Sequence, residues 1–292
     1  MLKINRFLSL ILSTLLIVPF INSMKIDRVI LSTDSHPCYI EFWPMIAKAW
    51  NKMGVTPTLA LVADKNVKVD ETLGHVIRFE PIPDIPTGFQ AQVIRLFLPM
   101  FFEEEVSLTS DIDMLPLNKD FLLGSVADIT DDKFVVYSSY SDHYRIENEI
   151  FPICYLAATG KTFKDVFGIQ NIEEISDLIK YWYKLSSSLI PPVDVEDKAK
   201  WSRQMIWSTD ERMLTAYLKT WKDNNSRCIK LGNAFDHHID RNDWKYSPEL
   251  LKKGYYHEAH LPKPYFEPLN KKAIDQLLKY ADLEDLIPEE KE

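Results

Sequence analysis

Two aspartates separated by one residue form the stretch of this chain best suited to chemistry. Asp111 and Asp113 follow an apolar segment at residues 106–108, and Pro116 comes soon after them. The β-forming residues predict a buried strand, and the proline predicts that its ladder does not simply continue. Ligands of open α/β sheets collect outside the carboxyl ends of the strands, where both acids would lie. Because close carboxylates repel each other, the pair favours a bound cation, such as a divalent ion carrying a diphosphate.

The alternative is that this Asp-x-Asp sequence is only a turn or a helix cap, where aspartate is common. Its position favours a metal site instead. The pair follows both a strand and a long apolar helix candidate at residues 88–103, and the apolar residues Leu115 and Leu117 follow it. We therefore prefer metal binding to turn chemistry.

Alternating strands and helices are predicted to position these acids. Residues 25–31 are rich in β-formers, residues 39–53 have helical apolar spacing that ends at Gly54, and residues 57–63 form the next strand. The further predicted elements are a strand at 76–79, a helix at 90–102, the aspartate strand, a short helix at 121–126, a strand at 134–137, helices at 173–185 and 209–221, a strand at 228–231 and a helix at 271–281. This order predicts an α/β fold with a mostly parallel sheet flanked by helices.

Small residues at positions 155–160 indicate a second place where a ligand could approach the backbone. Ala158 and Gly160 belong to this stretch, and both are predicted to contact a bound cofactor. A tight turn explains the same residues equally well.

Composition excludes some classes of function. The chain has 34 Lys and Arg against 43 Asp and Glu, a formal net charge of -9, so it lacks the basic patch that nucleic-acid binding requires. Its three cysteines, Cys38, Cys154 and Cys228, include no Cys-x-x-Cys pair. Three cysteines allow one disulfide but no disulfide framework, and their spacing does not indicate a zinc site.

The amino terminus resembles a targeting segment. Lys3 and Arg6 precede an apolar run at residues 7–21, which is short for a membrane span of about 20 residues. Ile21 makes a poor cleavage site, so a cleaved signal peptide and a type II membrane anchor both stay open. The segment predicts a secretory or exported protein, either anchored or lumenal, and divides the chain into residues 1–23, a catalytic domain at 24–268, and a C-terminal helix with an acidic tail at 269–292.

Two histidine clusters need weighing as metal sites. Residues 236–240 contain adjacent histidines, which point to opposite faces of an extended backbone, so a solvated loop is favoured. His257 and His260 are three residues apart, whereas a zinc-protease helix needs histidines four apart. Either one could still give a nitrogen ligand to the ion at Asp111 and Asp113. Lys263, three residues after His260, would then be a phosphate counter-charge.

The order of these motifs resembles that of GT-A glycosyltransferases, and most of all the glycogenin-like retaining family. The motifs that carry the resemblance are Leu31-Ser32-Thr33-Asp34 after the first strand, Arg95-Leu96-Phe97-Leu98-Pro99 in the helix before the aspartates, Ser110-Asp111-Ile112-Asp113, Asp210-Glu211 ahead of a helix, and His260-Leu261-Pro262-Lys263-Pro264-Tyr265. The similarity covers nearly all of residues 24–268. It implies a GT-A domain that transfers a sugar from a nucleotide-diphosphate donor, expected to be a UDP-sugar, to a hydroxyl of a glycan, glycoprotein or glycolipid.

The resemblance also implies roles for individual residues. Thr33 and Asp34 would contact the nucleoside, Arg95 would contact the donor phosphate or sugar, and Lys263 would contact the leaving phosphate. Asp111, Asp113 and His260 would hold Mn²⁺ or Mg²⁺. Asp210 and Glu211 would be the catalytic acids on the sugar side. A metal and a fixed cation would stabilise the negative charge that develops as the nucleoside diphosphate leaves.

Departures from the family pattern leave some questions open. Glu211 stands where the family has glutamine, Tyr265 stands where it has tryptophan, and the spacing from His260 to Lys263 is short. Retention and inversion of the anomeric configuration therefore both stay open. Two other functions remain as alternatives: a nucleotidyltransferase that makes sugar nucleotides, although residues 33–39 contain no glycine for a phosphate loop, and a non-catalytic carbohydrate-binding protein.

Overall fold

The computed structural model of the chain describes residues 22–138, 149–190, 197–232 and 237–288. Its strands, in chain order, are β1 (Arg28–Asp34), β2 (Thr56–Val62), β3 (His75–Phe79), β4 (Val106–Thr109), β5 (Met114–Pro116), β6 (Phe134–Val136), β7 (Leu156–Thr159), β8 (Cys228–Lys230), β9 (His238–Ile239) and β10 (Glu258–His260). Its α-helices are α1 (Pro37–Ile40), α2 (Trp43–Met53), α3 (Thr87–Phe97), α4 (Lys119–Leu122), α5 (Gly160–Phe167), α6 (Glu173–Ser187), α7 (Lys198–Trp207), α8 (Thr209–Thr220), α9 (Asn224–Arg227), α10 (Pro248–Lys252) and α11 (Pro268–Tyr280).

Within the described residues, seven strands form the main sheet in the order β3-β2-β1-β4-β7-β6-β8. Only β7 runs antiparallel to its neighbours. The predicted α/β class with a mostly parallel sheet is therefore confirmed. The strand order reverses between β1 and β4, and such a switch point opens a crevice at the carboxyl ends of the strands.

Helices cover both faces of this sheet, as the strand sequences require. Side chains alternate along β1, so Val29 and Leu31 face one core and Ile30 faces the other. Helices α2 and α11 pack on the first face, and α3, α6 and α8 pack on the second. Because Leu277 and Leu278 are fully buried, the C-terminal helix shares the core of the sheet.

Two sequence predictions about element boundaries need correction. The long helix predicted before the aspartates is shorter: α3 ends at Phe97, and residues Leu98–Phe101 form a 3-10 turn. Pro99 has no N–H for a helical hydrogen bond, which explains the change. The segment predicted as a loop at residues 236–240 contains β9, whose Ile239 is fully buried beside β10; Asp236 lies outside the described residues.

The amino-terminal targeting segment falls almost entirely outside the described residues, which begin at residue 22. Among the helices that are described, none combines the length and the apolar character that crossing a bilayer requires. The chain enters the fold where the backbone N–H of Met24 donates to the carbonyl of Ile129.

Candidate active site

A cleft of about 530 Å³ opens where the strand order reverses. Residues from seven parts of the chain line it: Ser32, Thr33, Asp34, His36 and Tyr39; Gly88, Ala91, Gln92 and Arg95; Asp111, Ile112 and Asp113; Ile153 and Cys154; Gln204, Trp207, Ser208, Asp210 and Glu211; Arg241; and His260 and Lys263. A wider groove of about 1000 Å³ lies along α11, but no predicted site residue lines it.

The two aspartates lie in the turn between β4 and β5. Ile112, between them, is buried in the core, so both carboxyl groups are on the cleft side of the turn. The backbone N–H of Met114 donates to the carbonyl of Asp111 and closes this turn, with a nitrogen to oxygen distance of 3.3 Å. A strand that ends here, followed by the next short strand, thus holds both acids at the mouth of the crevice.

A second sheet brings the C-terminal segment to the aspartates. Strand β10 lies between β5 and β9, and His260 is paired with Met114, the residue after Asp113. The N–H of Leu261 donates to the carbonyl of Asp113 at 2.8 Å. This pairing joins residues that are about 150 positions apart in the chain, and no local sequence pattern predicts it.

Three side chains form a cluster that fits a divalent metal ion. Asp111, Asp113 and His260 each contribute one ligand atom, and these atoms lie within 4.8 Å of one another. Two carboxylate oxygens and one imidazole nitrogen suit Mn²⁺ and, less well, Mg²⁺, which prefers oxygen. The residues predicted to hold the ion are thus brought together.

His257, the competing nitrogen ligand, faces elsewhere. Its ring lies flat on Phe121, with ring centroids 3.5 Å apart and planes 2° from parallel. Among the described residues, His257 does not belong to the candidate metal cluster.

We expect His260→Ala to weaken Mn²⁺ binding by at least about tenfold, the loss typical when even an outer partner of a metal ligand is removed. His257→Ala removes the same kind of side chain from the same strand region but should leave the Mn²⁺ affinity unchanged. Calorimetric titration of metal-free protein with Mn²⁺ measures both variants without any need for turnover. Equal losses in the two variants would contradict the assignment of the nitrogen ligand.

Asp113 is surrounded by positive charge. Its Oδ2 accepts from Lys263 Nζ at 2.7 Å and from Arg241 Nη1 at 2.8 Å, and His260 Nε2 lies 3.4 Å away. Burial raises the pKa of this carboxyl, but His260 and Lys263 outweigh the effect and hold the pKa far below its usual range. Asp113 is therefore ionised at any physiological pH. Sequence reasoning missed Arg241, which belongs to no motif and lies 128 residues from Asp113.

Arg95 links one of the candidate metal ligands to a candidate catalytic acid. Its guanidinium, almost fully buried, donates to Asp111 Oδ1 through a short hydrogen bond and lies 3.9 Å from Asp210 Oδ2. It also donates to the carbonyl of Ser110 at 3.3 Å. One buried cation thus lies beside two acids of the cleft, and the contact of Arg95 with a donor stays a prediction.

Asp210 and Glu211 begin α8 and both line the cleft. Asp210 is only 3% exposed. Burial raises its pKa to about 6, although the nearby Arg95 partly offsets the effect. Asp210 Oδ1 also accepts from the N–H of Glu211 at 2.8 Å in the first turn of α8, where an acid favours the helix dipole without any catalytic role. Its carboxyl nevertheless reaches the floor of the cleft beside Arg95.

Thr33 and Asp34 lie at the carboxyl end of β1 and line the cleft. Both oxygens of Asp34 accept hydrogen bonds, one from the N–H of His36 at 2.9 Å and one from Thr87 Oγ1 at 2.8 Å. A carboxylate oxygen has a second lone pair, so Asp34 can still accept from a ligand. The Thr87 contact ties this wall to the start of α3.

Ala158 and Gly160, predicted to contact a cofactor, do not line the cleft. Ala158 lies in β7 and is fully buried in the core. At Gly160, an added Cβ would be 2.2 Å from the carbonyl oxygen of Pro99 and 2.5 Å from that of Phe102. We therefore correct that interpretation: the small residues serve close packing of β7 and α5 against the 3-10 turn.

A buried acid that the sequence did not reveal lies behind the aspartates. Glu258, in β10, is 1% exposed, and its environment includes the hydroxyl of Tyr155. Burial, with contributions from Asp111 and Asp113, raises the pKa of Glu258 to about 8, so it is mostly protonated at neutral pH. A protonated Glu258 therefore adds little negative charge near Asp111 and Asp113.

All three cysteines are free thiols, so the one disulfide that the sequence allowed does not form. Cys154 lines the cleft, yet burial raises the pKa of its thiol, and Asp111 raises it further. A protonated thiol is a poor nucleophile and metal ligand. Cys154 is therefore an apolar part of the cleft wall.

Comparison with known proteins gives only distant likenesses. No protein-family model matches the chain, and no curated protein sequence does. Solved structures similar to it include the galactosyltransferase LgtC in complex with donor and acceptor sugar analogs, at 12% identity and a TM-score of 0.47, covering 91% of this chain and 98% of that one. GlyE, a glycosyltransferase in Streptococcus pneumoniae, has 12% identity and a TM-score of 0.46, with 88% and 63% covered. The bifunctional glycosyltransferase WbbM has 10% identity and a TM-score of 0.43, with 90% and 51% covered. These values are too low to assign a family or an activity, and the function has to be inferred from the site.

Proposed function

We propose that this protein is a metal-dependent glycosyltransferase. It would move a sugar from a nucleotide-diphosphate donor, a UDP-sugar in the first instance, to a hydroxyl of a glycan, glycoprotein or glycolipid. The observation that supports this best is the cluster of Asp111, Asp113 and His260 with Lys263 beside it, at the switch point of a mostly parallel sheet. A divalent ion and a fixed cation at one place suit the binding of a diphosphate.

In the reaction, the bond between the anomeric carbon and the diphosphate oxygen breaks, and its electron pair leaves with the nucleoside diphosphate. The acceptor oxygen forms the new bond to that carbon. Its hydroxyl proton passes to the leaving diphosphate in a retaining reaction, and to the carboxylate of Asp210 or Glu211 in an inverting one. When bound, Mn²⁺ or Mg²⁺ supplies charge that stabilises the leaving diphosphate. Lys263 and Arg241 add two fixed cations beside Asp113, and their positive charge matters most as the diphosphate departs.

Asp210 is proposed to act on the sugar side of the cleft. Its carboxyl lies near Arg95, which is also bound to Asp111, so it is adjacent to the metal-binding acids without belonging to their cluster. Such a group can bind donor hydroxyls or stabilise positive charge at the anomeric carbon, and in an inverting enzyme it, or Glu211, would be the base. We propose retention from the order of the motifs alone. Proton NMR of the first-formed product distinguishes the two anomers.

The test is a screen of sugar nucleotides for hydrolysis. The protein is incubated with UDP-, GDP- and CMP-sugars in Mn²⁺, in Mg²⁺ and in EDTA, and the released nucleotide is measured. Release from at least one nucleotide-diphosphate sugar, dependent on metal, is the expected result. In a parallel incubation with added pyrophosphate, formation of a nucleoside triphosphate would indicate a nucleotidyltransferase instead. No release with any donor would indicate a protein that only binds carbohydrate.

Lys263 and Arg241 should differ in their contributions. We expect Lys263→Ala to lower kcat/KM for donor hydrolysis by about a hundredfold, the loss typical when one group that stabilises developing negative charge is removed. Arg241→Ala should cost less, because its side chain is more exposed and its charge is better screened. Arg241→Lys keeps the charge and serves as the control. Unchanged kcat and KM in both alanine variants would contradict the role of these cations.

We also propose that the protein enters the secretory or export route through its first 23 residues. Amino-terminal sequencing of protein recovered from its native cell decides between a cleaved signal peptide and a membrane anchor. A chain that begins near Met24 in a soluble fraction indicates a cleaved signal, and an intact amino terminus in the membrane fraction indicates a type II anchor.

A further inference from the structure

Trp207 is an exposed aromatic residue at the rim of the cleft. Its side chain lines the cleft, yet the residue is 54% exposed. Trp43, Trp50 and Trp182, by contrast, are almost entirely buried. A single exposed hydrophobic residue is ordinary on a protein surface. The position of Trp207 in the wall of the site is the feature that needs an explanation.

The backbone at Trp207 is held from several sides. Gln92 Nε2, on α3, donates to the carbonyl of Trp207 at 3.1 Å. The next residue, Ser208, donates through its Oγ to the carbonyl of Gln204 at 2.9 Å, and Thr209 Oγ1 donates to Ser186 Oγ on α6 at 2.6 Å. The turn between α7 and α8 is thus tied to two other helices. The indole therefore extends from a turn that hydrogen bonds to α3 and α6 hold in place.

This turn also connects the rim of the cleft to its floor. Asp210 follows Trp207 by three residues, but it is only 3% exposed and lies beside Arg95. A donor whose diphosphate lies at Asp111 and Asp113 would occupy the floor. A molecule that contacts Trp207 would therefore lie farther out, between the donor and the solvent.

The neighbours of the indole are polar groups suited to hydroxyls. Gln204, Ser208 and Glu211 lie within four residues of Trp207 in the chain, line the same cleft, and offer an amide, a hydroxyl and a carboxylate. A pyranose ring has an apolar face of C–H groups and a rim of hydroxyls. Flat aromatic surface matches the first, and planar polar groups match the second. The wall therefore has both kinds of surface that a sugar ring requires.

We propose that Trp207 forms the acceptor subsite, with its indole stacked on a pyranose ring of a saccharide acceptor. Gln204 and Glu211 are positioned to bind hydroxyls of the same ring. This inference rests on the proposed function in one respect: the name acceptor presumes that a donor occupies the floor. The binding of a saccharide at Trp207 is independent of turnover and can be measured separately.

The first experiment measures binding by saturation-transfer difference NMR. The probes are the methyl pyranosides of glucose, galactose, mannose and N-acetylglucosamine, and the proteins are the native chain, Trp207→Ala, Trp207→Phe and Tyr181→Ala. Tyr181 is the matched control, because it is 56% exposed but does not line the cleft. We expect at least one probe to bind the native chain and Tyr181→Ala alike, and to bind Trp207→Ala about tenfold more weakly, a change of about 1.4 kcal/mol. Trp207→Phe should bind it with an intermediate affinity, because the phenyl ring keeps a smaller flat aromatic surface.

The second experiment uses the donor that the hydrolysis screen identifies and the pyranoside that binds best. Trp207→Ala should raise KM for the pyranoside about tenfold and should change KM for the donor less. A larger rise in the donor KM would overturn the proposal, because the indole would then stack on the donor. Failure of every pyranoside to bind the native chain, or equal binding to Trp207→Ala, would also overturn it. Binding at Trp207 without hydrolysis of any donor would refute the proposed function and leave a saccharide site at Trp207.

Discussion

Replacing Asp113 with asparagine is expected to abolish metal-dependent hydrolysis of the donor. The amide keeps the shape of the carboxyl but loses the charge that attracts a divalent ion, and it leaves Lys263 and Arg241 without their common partner. We expect a fall in kcat of at least about a thousandfold, the upper range for loss of one electrostatic contribution. Turnover of the purified variant in saturating Mn²⁺ measures it, and near-normal turnover would refute the metal assignment.

The same variant should also lose stability, which the position of Asp113 at the end of a strand did not suggest. The side chain is almost fully buried and ionised, and its pKa lies below the value of an unfolded chain. A carboxyl of this kind stabilises the fold at pH values above its unfolded pKa, and the contribution disappears as the pH falls towards its folded pKa. Loss of a charged hydrogen-bond acceptor costs about 1.5–3 kcal/mol. Asp113→Asn should therefore unfold at a lower temperature than the native chain at pH 7.

A matched control separates lost chemistry from lost stability. Asp165 is a paired acid outside the cleft: Arg227 Nη1 donates to its Oδ2 at 3.0 Å, and Trp221 Nε1 donates to the same oxygen at 3.1 Å. Asp165→Asn should lower the thermal midpoint but retain turnover below it. If Asp165→Asn lost as much activity as Asp113→Asn, the loss of activity in Asp113→Asn would reflect impaired folding and not lost chemistry.

Local patterns predicted the parts of the site that local structure determines. The strand before Asp111, the helix that carries Arg95 and the helix that begins near Asp210 each follow from apolar periodicity and turn residues within about fifteen positions. The two aspartates stand at the end of one strand, so their common position needed no knowledge of the rest of the fold. His260 was preferred to His257 through the order of motifs, and the structure places it beside Asp113.

Long-range contacts determine the remainder, and the sequence could not predict these. Arg241 and Glu258 reach the site because β9 and β10 pair with each other and β10 pairs with β5. Gly160 is small because the carbonyl oxygens of a distant 3-10 turn lie against it, not because a ligand does. Tryptophan is usually a buried residue, and only the position of Trp207 on the rim of the cleft distinguishes it from the buried tryptophans. In each case the residues that lie nearby come from distant parts of the chain, and local sequence spacing does not predict which elements pack together.

Arg95→Leu should be the most destabilising substitution in the cleft. The guanidinium is 7% exposed and lies between two acids, so its removal leaves Asp210 buried with no cation beside it among the described residues. Breaking a buried ion pair on one side costs about 3–5 kcal/mol. We expect the free energy of unfolding at pH 8, measured in EDTA by chemical denaturation, to fall by about 3 kcal/mol. Arg95→Lys should recover only part of this loss, because a point charge does not serve two carboxylates as a planar guanidinium does.

The pH dependence of Arg95→Leu distinguishes an electrostatic loss from a packing loss. The pKa of Asp210, already raised to about 6 by burial, should rise further without Arg95. A carboxyl with a raised pKa binds its proton more tightly in the folded chain, so its cost to stability is absent at low pH, grows as the pH rises from the unfolded to the folded pKa, and is complete above the folded pKa. The extra cost in Arg95→Leu accumulates only above the native folded pKa of about 6. Arg95→Leu should therefore differ little from the native chain at pH 5 and most at pH 8. Adding Asp210→Asn, which removes the buried charge, should restore much of the stability at pH 8. An equal loss at both pH values, with no recovery in the double variant, would mean that Arg95 contributes packing and not charge.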